Sequence, residues 1–193
     1  MFAELKPAIL MTLWLTVLTG ILYPLAITGV CQIAFPDAAN GSLVERNGVV
    51  IGSRLIAQPF TRPEYFHPRA SAAGDKGYDA TNSGGTNLAA TNPALIDRLK
   101  KDATAFRKEN PDYKGPIPSD AITTSASGLD PDISPANAYA QAARIAAARH
   151  VSAERIDELI RSHVQGRAWG VIGEPAVNVL KLNLDLDNVV PVK

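Results

Sequence analysis

Apolar side chains fill nearly every position from Pro7 to Phe35, a run of about 29 residues without a charged group. As a helix rising 1.5 Å per residue, this run reaches about 43 Å, more than the roughly 30 Å of a bilayer's hydrocarbon core. The pattern predicts a membrane span with length to spare for tilt. Leu10, Leu13, Trp14, Leu15, Val17, Leu18, Ile21 and Leu22 make its first half apolar all round, which suits lipid. A cleaved secretory signal is the competing reading, with Ala38-Ala39 resembling a cleavage site, but the run is too long and Glu4 offsets Lys6 where a positive start is expected. Pro24 lacks a backbone donor, so a bend is expected near Tyr23-Pro24. Thr16 and Gly20 form a small-xxx-small pair that lets a neighbouring helix approach.

Beyond the span the pattern predicts one soluble domain. Helix breakers and turn formers from Phe35 to Ser42 mark a linker, which divides the chain into an anchor, 1–36, and a domain, 37–193. Val49 to Ile56 reads as a strand behind an Asn47-Gly48 turn, in a hairpin that begins near Leu43. From Gln58 to Thr91 neither period appears, and the aromatic residues Phe60, Tyr65, Phe66 and Tyr78 argue for an ordered loop whose backbone and small polar side chains act.

Asn92-Pro93 opens a helix with its apolar stripe at Ile96, Leu99, Ala103 and Phe106, and Asn110-Pro111 ends it. A second loop covers Gly115 to Pro135, with a short strand expected at Ala121 to Thr124. Ser134-Pro135 opens an alanine-rich helix to about Ala148, and Ser152 caps another that stops at Gly166. Leu180, Leu182, Leu184 and Leu186 alternate with polar residues and predict a closing strand, paired at long range with the strand at Val49. The expected fold class is mixed α/β: one N-terminal transmembrane helix, then an α+β domain with a small sheet and about three helices.

Charge narrows the function. With 19 basic and 19 acidic residues the chain has no excess to steer nucleic acid, which is excluded as a partner. The single cysteine, Cys31, lies inside the span and has no partner for an intrachain disulfide. Phosphate-loop, zinc-protease, hydrolase-elbow and S-x-x-K signatures are all missing. His67, His150 and His163 show no ligand spacing, so no metal site is expected. The strongest local signal is Ser83-Gly84-Gly85-Thr86-Asn87, whose bared N–H groups could wrap an anion or accept close approach by another surface; a plain turn is the alternative.

Taken in order, many residues resemble one family. They are Thr19-Gly20, Tyr23-Pro24-Leu25, Thr28-Gly29, Gln32, Phe35-Pro36, Ala39-Asn40-Gly41-Ser42-Leu43, Gly52-Ser53, Tyr65-Phe66, Arg69, Tyr78-Asp79, Ser83-Gly84-Gly85, Asn87-Leu88, Ser127-Gly128-Leu129-Asp130-Pro131, Gly173-Glu174-Pro175 and Val177-Asn178-Val179-Leu180. The chain is similar along its length to the C subunit of the Kdp-type potassium-transporting P-type ATPase. It departs from that pattern at Ala57, Ala70, Thr86, Ala89-Ala90, Ala126 and Asp132, mostly small-for-small changes.

The resemblance implies a bacterial inner-membrane complex in which a catalytic subunit forms the aspartyl-phosphate and a channel-like subunit selects potassium. It also implies a single-pass protein with its domain outside the cytoplasm, bound to both subunits and to membrane lipid. The implied partner interface is Thr16, Gly20, Tyr23, Pro24 and Gly29 in the span, with Tyr65, Phe66, Tyr78, Asp79 and Asn87 in the first loop. No cofactor is expected to be firmly held. The resemblance attributes ATP binding to Ser83, Gly84 and Gly85, yet the residues supply no lysine, metal ligand or base for a nucleotide. Three functions follow in order: a non-catalytic assembly subunit, a nucleotide-binding regulator that raises the catalytic subunit's ATP affinity, and an exported hydrolase using Ser83 or Ser127.

Overall fold

A computed structural model describes residues 4–191, which separate into two units that meet between Ile51 and Gly52.

The first unit begins with a continuous helical run, Leu5–Ala34, long and apolar enough to cross a membrane and with none of its residues buried. It is α1 (Leu5–Val17), a π turn (Leu18–Leu22) and α2 (Tyr23–Ala34). The irregularity expected at Pro24 takes the form of that wide turn, in which the Tyr23 N–H reaches back five residues to the Leu18 carbonyl. Pro24 has no N–H to give, and a local π turn is one way a helix absorbs the loss. The hydroxyls of Thr12, Thr16, Thr19 and Thr28 donate to carbonyls four residues back at 2.7–2.9 Å, which satisfies every threonine hydroxyl of the run within the helix itself.

The expected linker contains a one-turn helix, α3 (Pro36–Ala39), where the Asn40 and Gln32 side-chain amides pair at 3.2 and 3.3 Å. Strands β1 (Leu43–Arg46) and β2 (Val49–Ser53) then form the predicted hairpin. Asn47 (φ +55°) and Gly48 (φ +77°) both take the left-handed backbone that a two-residue hairpin turn requires.

The second unit packs α4 (Pro93–Glu109), a one-turn α5 (Ser119–Ile122), α6 (Pro135–Arg149), α7 (Ala153–His163) and α8 (Val179–Val189), with β3 (Asp132–Ile133) antiparallel to β4 (Val177–Asn178). All three predicted starts are capped by the predicted residue: Asn92, Ser134 and Ser152 accept from the N–H groups of Ala94, Asn137 and Arg155. Helices α6 and α7 form a hairpin turned by left-handed His150. The core lies among α6, α7, α8 and β4, with Ile145, Ile156, Ile160, Val177, Leu182 and Leu186 fully buried.

Two predicted strands are helices instead. Ala121 and Ile122 belong to α5, and the leucine run after Val179 is α8. In α8 the buried positions are Val179, Leu180, Leu182, Asn183 and Leu186, recurring at three and four residues as 179, 182, 183 and 186 with Leu180 three before Asn183. Leucine is a strong helix former, and a buried asparagine inside the apolar face makes a 3.6-residue stripe look like simple alternation. The expected pairing of the chain's end with the Val49 strand is likewise replaced, since β2 pairs with β1 and the late strand β4 pairs with β3.

Candidate functional site

Residues 58–91 contain no helix or strand, as expected, and the strand expected to reach Ile56 stops at Ser53; yet the whole stretch is held in place. The agents are polar side chains on the buried faces of helices. Asn183 of α8 accepts from the Phe66 N–H at 2.8 Å and donates to the Phe66 carbonyl at 2.9 Å. Gln141 of α6 does the same for the next residue, accepting from the His67 N–H at 2.8 Å and donating to its carbonyl at 3.2 Å.

Arg144 donates to the carbonyls of Pro63 and Tyr65 and to the side chain of Asn110. Burial lowers its pKa to about 10, against the pull of Glu109 and Glu64, so it stays charged at neutral pH. Arg149, whose side chain is 0% exposed, donates to the Glu64 carbonyl at 2.9 Å and pairs with Asp187 at 2.8 Å, its guanidinium 4.9 Å from the Tyr65 ring centre. Every guanidinium nitrogen of Arg144 and Arg149 is thus partnered, the condition under which such a group is tolerated.

Further along, the first loop meets the second. Ser71 Oγ donates to the Gly128 carbonyl at 2.6 Å while accepting from the N–H groups of Ala73 and Tyr78. The Gly84 N–H and the Ser83 hydroxyl both donate to the Ser127 carbonyl, at 2.9 and 3.0 Å. Arg69 pairs with Asp130 at 2.7 Å, and the Ala57 N–H donates to the Leu129 carbonyl at 2.9 Å. Gly128 is the pivot. Its φ is +68°, and a Cβ there would lie 2.7 Å from the Ala73 nitrogen and 2.8 Å from the Gly84 oxygen.

The result is a loop-on-loop platform whose rim exposes Asp79, Ser83, Asn87 and Ser127. A shallow depression of about 500 Å³ beside it is lined by Leu55, Ile56, Ser83, Ser127 and Pro131 among others.

The predicted residues fall into distinct places. Ser83, Gly84 and Gly85 lie together on the platform; neither glycine has a positive φ, and the Gly84 N–H that would face an anion is engaged by Ser127. Asp79 closes a turn onto Thr81, and Asn87 sits exposed at φ +50°. Tyr78 donates to the Arg69 carbonyl, with burial pushing its pKa up to about 12. Tyr65 packs at 5.6 Å on Phe60 and donates to Asp187, while Phe66 is fully buried in the core. In the span, Thr16, Gly20, Tyr23, Pro24 and Gly29 are all exposed, and a Cβ at Gly20 or Gly29 would meet nothing within 4 Å.

Ser83 and Ser127 contact backbone and serine atoms, while two of the three histidines are engaged elsewhere, His163 with Asp185 at 2.8 Å and His67 with the Arg62 carbonyl at 3.0 Å. His67 also lines a cavity of about 200 Å³ with Phe60, Tyr78, Asp102, Phe106 and Glu109. Among the described residues no group of His, Cys, Asp or Glu could hold a metal ion.

Gln141, Arg144, Arg149 and Asn183 escaped the sequence reading. Their signal was there: a polar residue at a position where a helix's apolar stripe should continue.

One helix fit to cross a membrane, and a domain whose elaborated part is a clamped loop platform, define a membrane-associated protein built around presented backbone. A family model for KdpC, the c chain of K+-transporting ATPase, matches residues 5–188. The chain is 55% identical over 189 residues to the potassium-transporting ATPase KdpC subunit of Koribacter versatilis strain Ellin345, covering 97% of this chain and 96% of that one. It is 51% identical over 191 residues to the protein of the same name from Rhodospirillum rubrum, covering 99% and 98%. The chain belongs to the KdpC family.

Proposed function

We propose that this chain is a non-catalytic accessory subunit of an ATP-driven potassium uptake complex, supporting the assembly and stability of the catalytic and channel-like subunits. In this reading the span packs beside partner helices in the bacterial inner membrane. The domain, on the extracytoplasmic side, docks through its loop platform. The observation that carries the reading is the way residues 63–67 are clamped: α6 and α8 spend buried arginines and amides on fixing backbone that ends in no assembled catalytic group. A pre-ordered surface loses little entropy on binding, which is what a docking face gains from such clamping.

Substitution at Gly84 tests the docking face cleanly, because a Cβ there meets nothing within 4 Å, whereas one at Gly85 would lie 3.0 Å from the Ala126 carbonyl and disturb the platform itself. Gly84→Trp and, in the span, Gly20→Leu are each expected to loosen the purified complex and lower its potassium-stimulated ATPase. A complex that co-purifies intact with unchanged activity in both variants would overturn the proposal.

A further inference from the structure

Between Gln165 and Ala176 the chain leaves the helical core as a narrow hairpin, held by backbone bonds between Gln165 and Ala176 at 2.8 and 3.1 Å and between Ala168 and Ile172 at 2.8 and 3.0 Å. Trp169 (φ +51°) and Gly170 (φ +78°) turn its tip through left-handed backbone. The tip is apolar and bare: Trp169 is 90% exposed, Val171 74% and Ile172 56%. No charged residue lies between Arg167 and Glu174, and these two close on each other across the hairpin with both carboxylate oxygens at 2.8 Å. The finger therefore presents an uncharged greasy end above a base whose charges already cancel. Water is a poor solvent for such a cluster.

We propose that this finger inserts into the headgroup layer of a lipid bilayer, the same bilayer that the chain's own span crosses. Reach is assured by the chain itself. The span ends at Ala34 and the second unit starts at Gly52, a connection of at most about 60 Å if fully extended, while a unit of this length has a radius of gyration near 14 Å. Tethering keeps the lipid surface at high effective concentration for every face of the domain. Chemistry then selects the face. Indole is the side chain that settles at the boundary between headgroups and acyl chains, its N–H in the polar zone and its ring below, with small aliphatic neighbours filling in beside it. The Arg167–Glu174 pair removes the need for a charged partner on the other side.

The test uses the full chain reconstituted alone in nanodiscs of phosphatidylcholine and phosphatidylglycerol. In a Trp14→Phe background Trp169 is the remaining indole. Its emission is expected to be blue-shifted, quenched by lipids brominated high on the acyl chain, and shielded from acrylamide. A nitroxide on Val171→Cys, with Cys31→Ala, gives an independent reading and is expected to be more accessible to oxygen than to a nickel chelate. A water-like, acrylamide-accessible Trp169 with a nickel-accessible label would overturn the proposal. Shielding that arises only when the other subunits are added would overturn it equally, by assigning the finger to a protein groove.

Discussion

Asn183 pairs with Phe66 as an adjacent strand would, supplying one acceptor and one donor to a residue with no strand beside it. Gln141 repeats the device on His67, so two side-chain amides from different helices stand in for a missing sheet edge. The arrangement meets the rule that buried backbone groups find partners. Replacing Asn183 by similarly sized leucine leaves the Phe66 N–H and carbonyl buried and unpaired. Asn183→Leu is expected to destabilise the domain by about 2–4 kcal/mol, read as a lower urea midpoint by circular dichroism of the full chain in detergent. The two amides are visible in the sequence as interruptions of an apolar stripe, but their partners are not, because these lie 74 and 117 positions away and no local pattern links an amide on a helix to a loop backbone.

At the scale of elements, what could be read ahead was whatever depends on near neighbours. The cap-and-proline starts at Asn92 and Ser134, the cap at Ser152, the Asn47-Gly48 turn and the charge-free span are local signals, and the structure bears them out. The closing helix was misread because Asn183 interrupts its apolar stripe for a tertiary reason. The irregular stretch after Gln58 was legible as irregular, but its register against the second loop was not, since that is set by single bonds such as Ser71 to Gly128.

The glycines separate the two levels. Gly128→Ala places a side chain in left-handed backbone, a strain of about 1–2 kcal/mol, and drives it against the backbone of two other loop residues. It is expected to lower the thermal midpoint and to open residues 69–87 to limited proteolysis. Gly84→Ala, in open space, is expected to change stability by no more than about 0.5 kcal/mol in the same assays.

For the molecule as a whole, acidity tests the clamp from inside. Burial holds the His67 ring below its ordinary value of 6.5, Arg144 adds repulsion, and the half-exposed Glu109 carboxylate, 3.4 Å away, pulls the other way without prevailing. The unfolded chain therefore takes up this proton before the folded one does. Stability owed to His67 is complete above about pH 6.5 and declines as pH falls below it. The thermal midpoint of the full chain is expected to drop between pH 7 and pH 5, and to drop less in His67→Gln, whose backbone can still be held by Gln141.

The wide turn at Leu18–Leu22 bears on how the first helical run faces its surroundings. One additional residue in a helix turns everything after it by about 100° relative to an unbroken spiral. Thr16 before the turn and Tyr23 just after it, seven residues apart and so on one face of an unbroken helix, instead look toward different sides. A helix of this shape offers one side with its first half and another with its second, as a rivet presents a head to each of two plates.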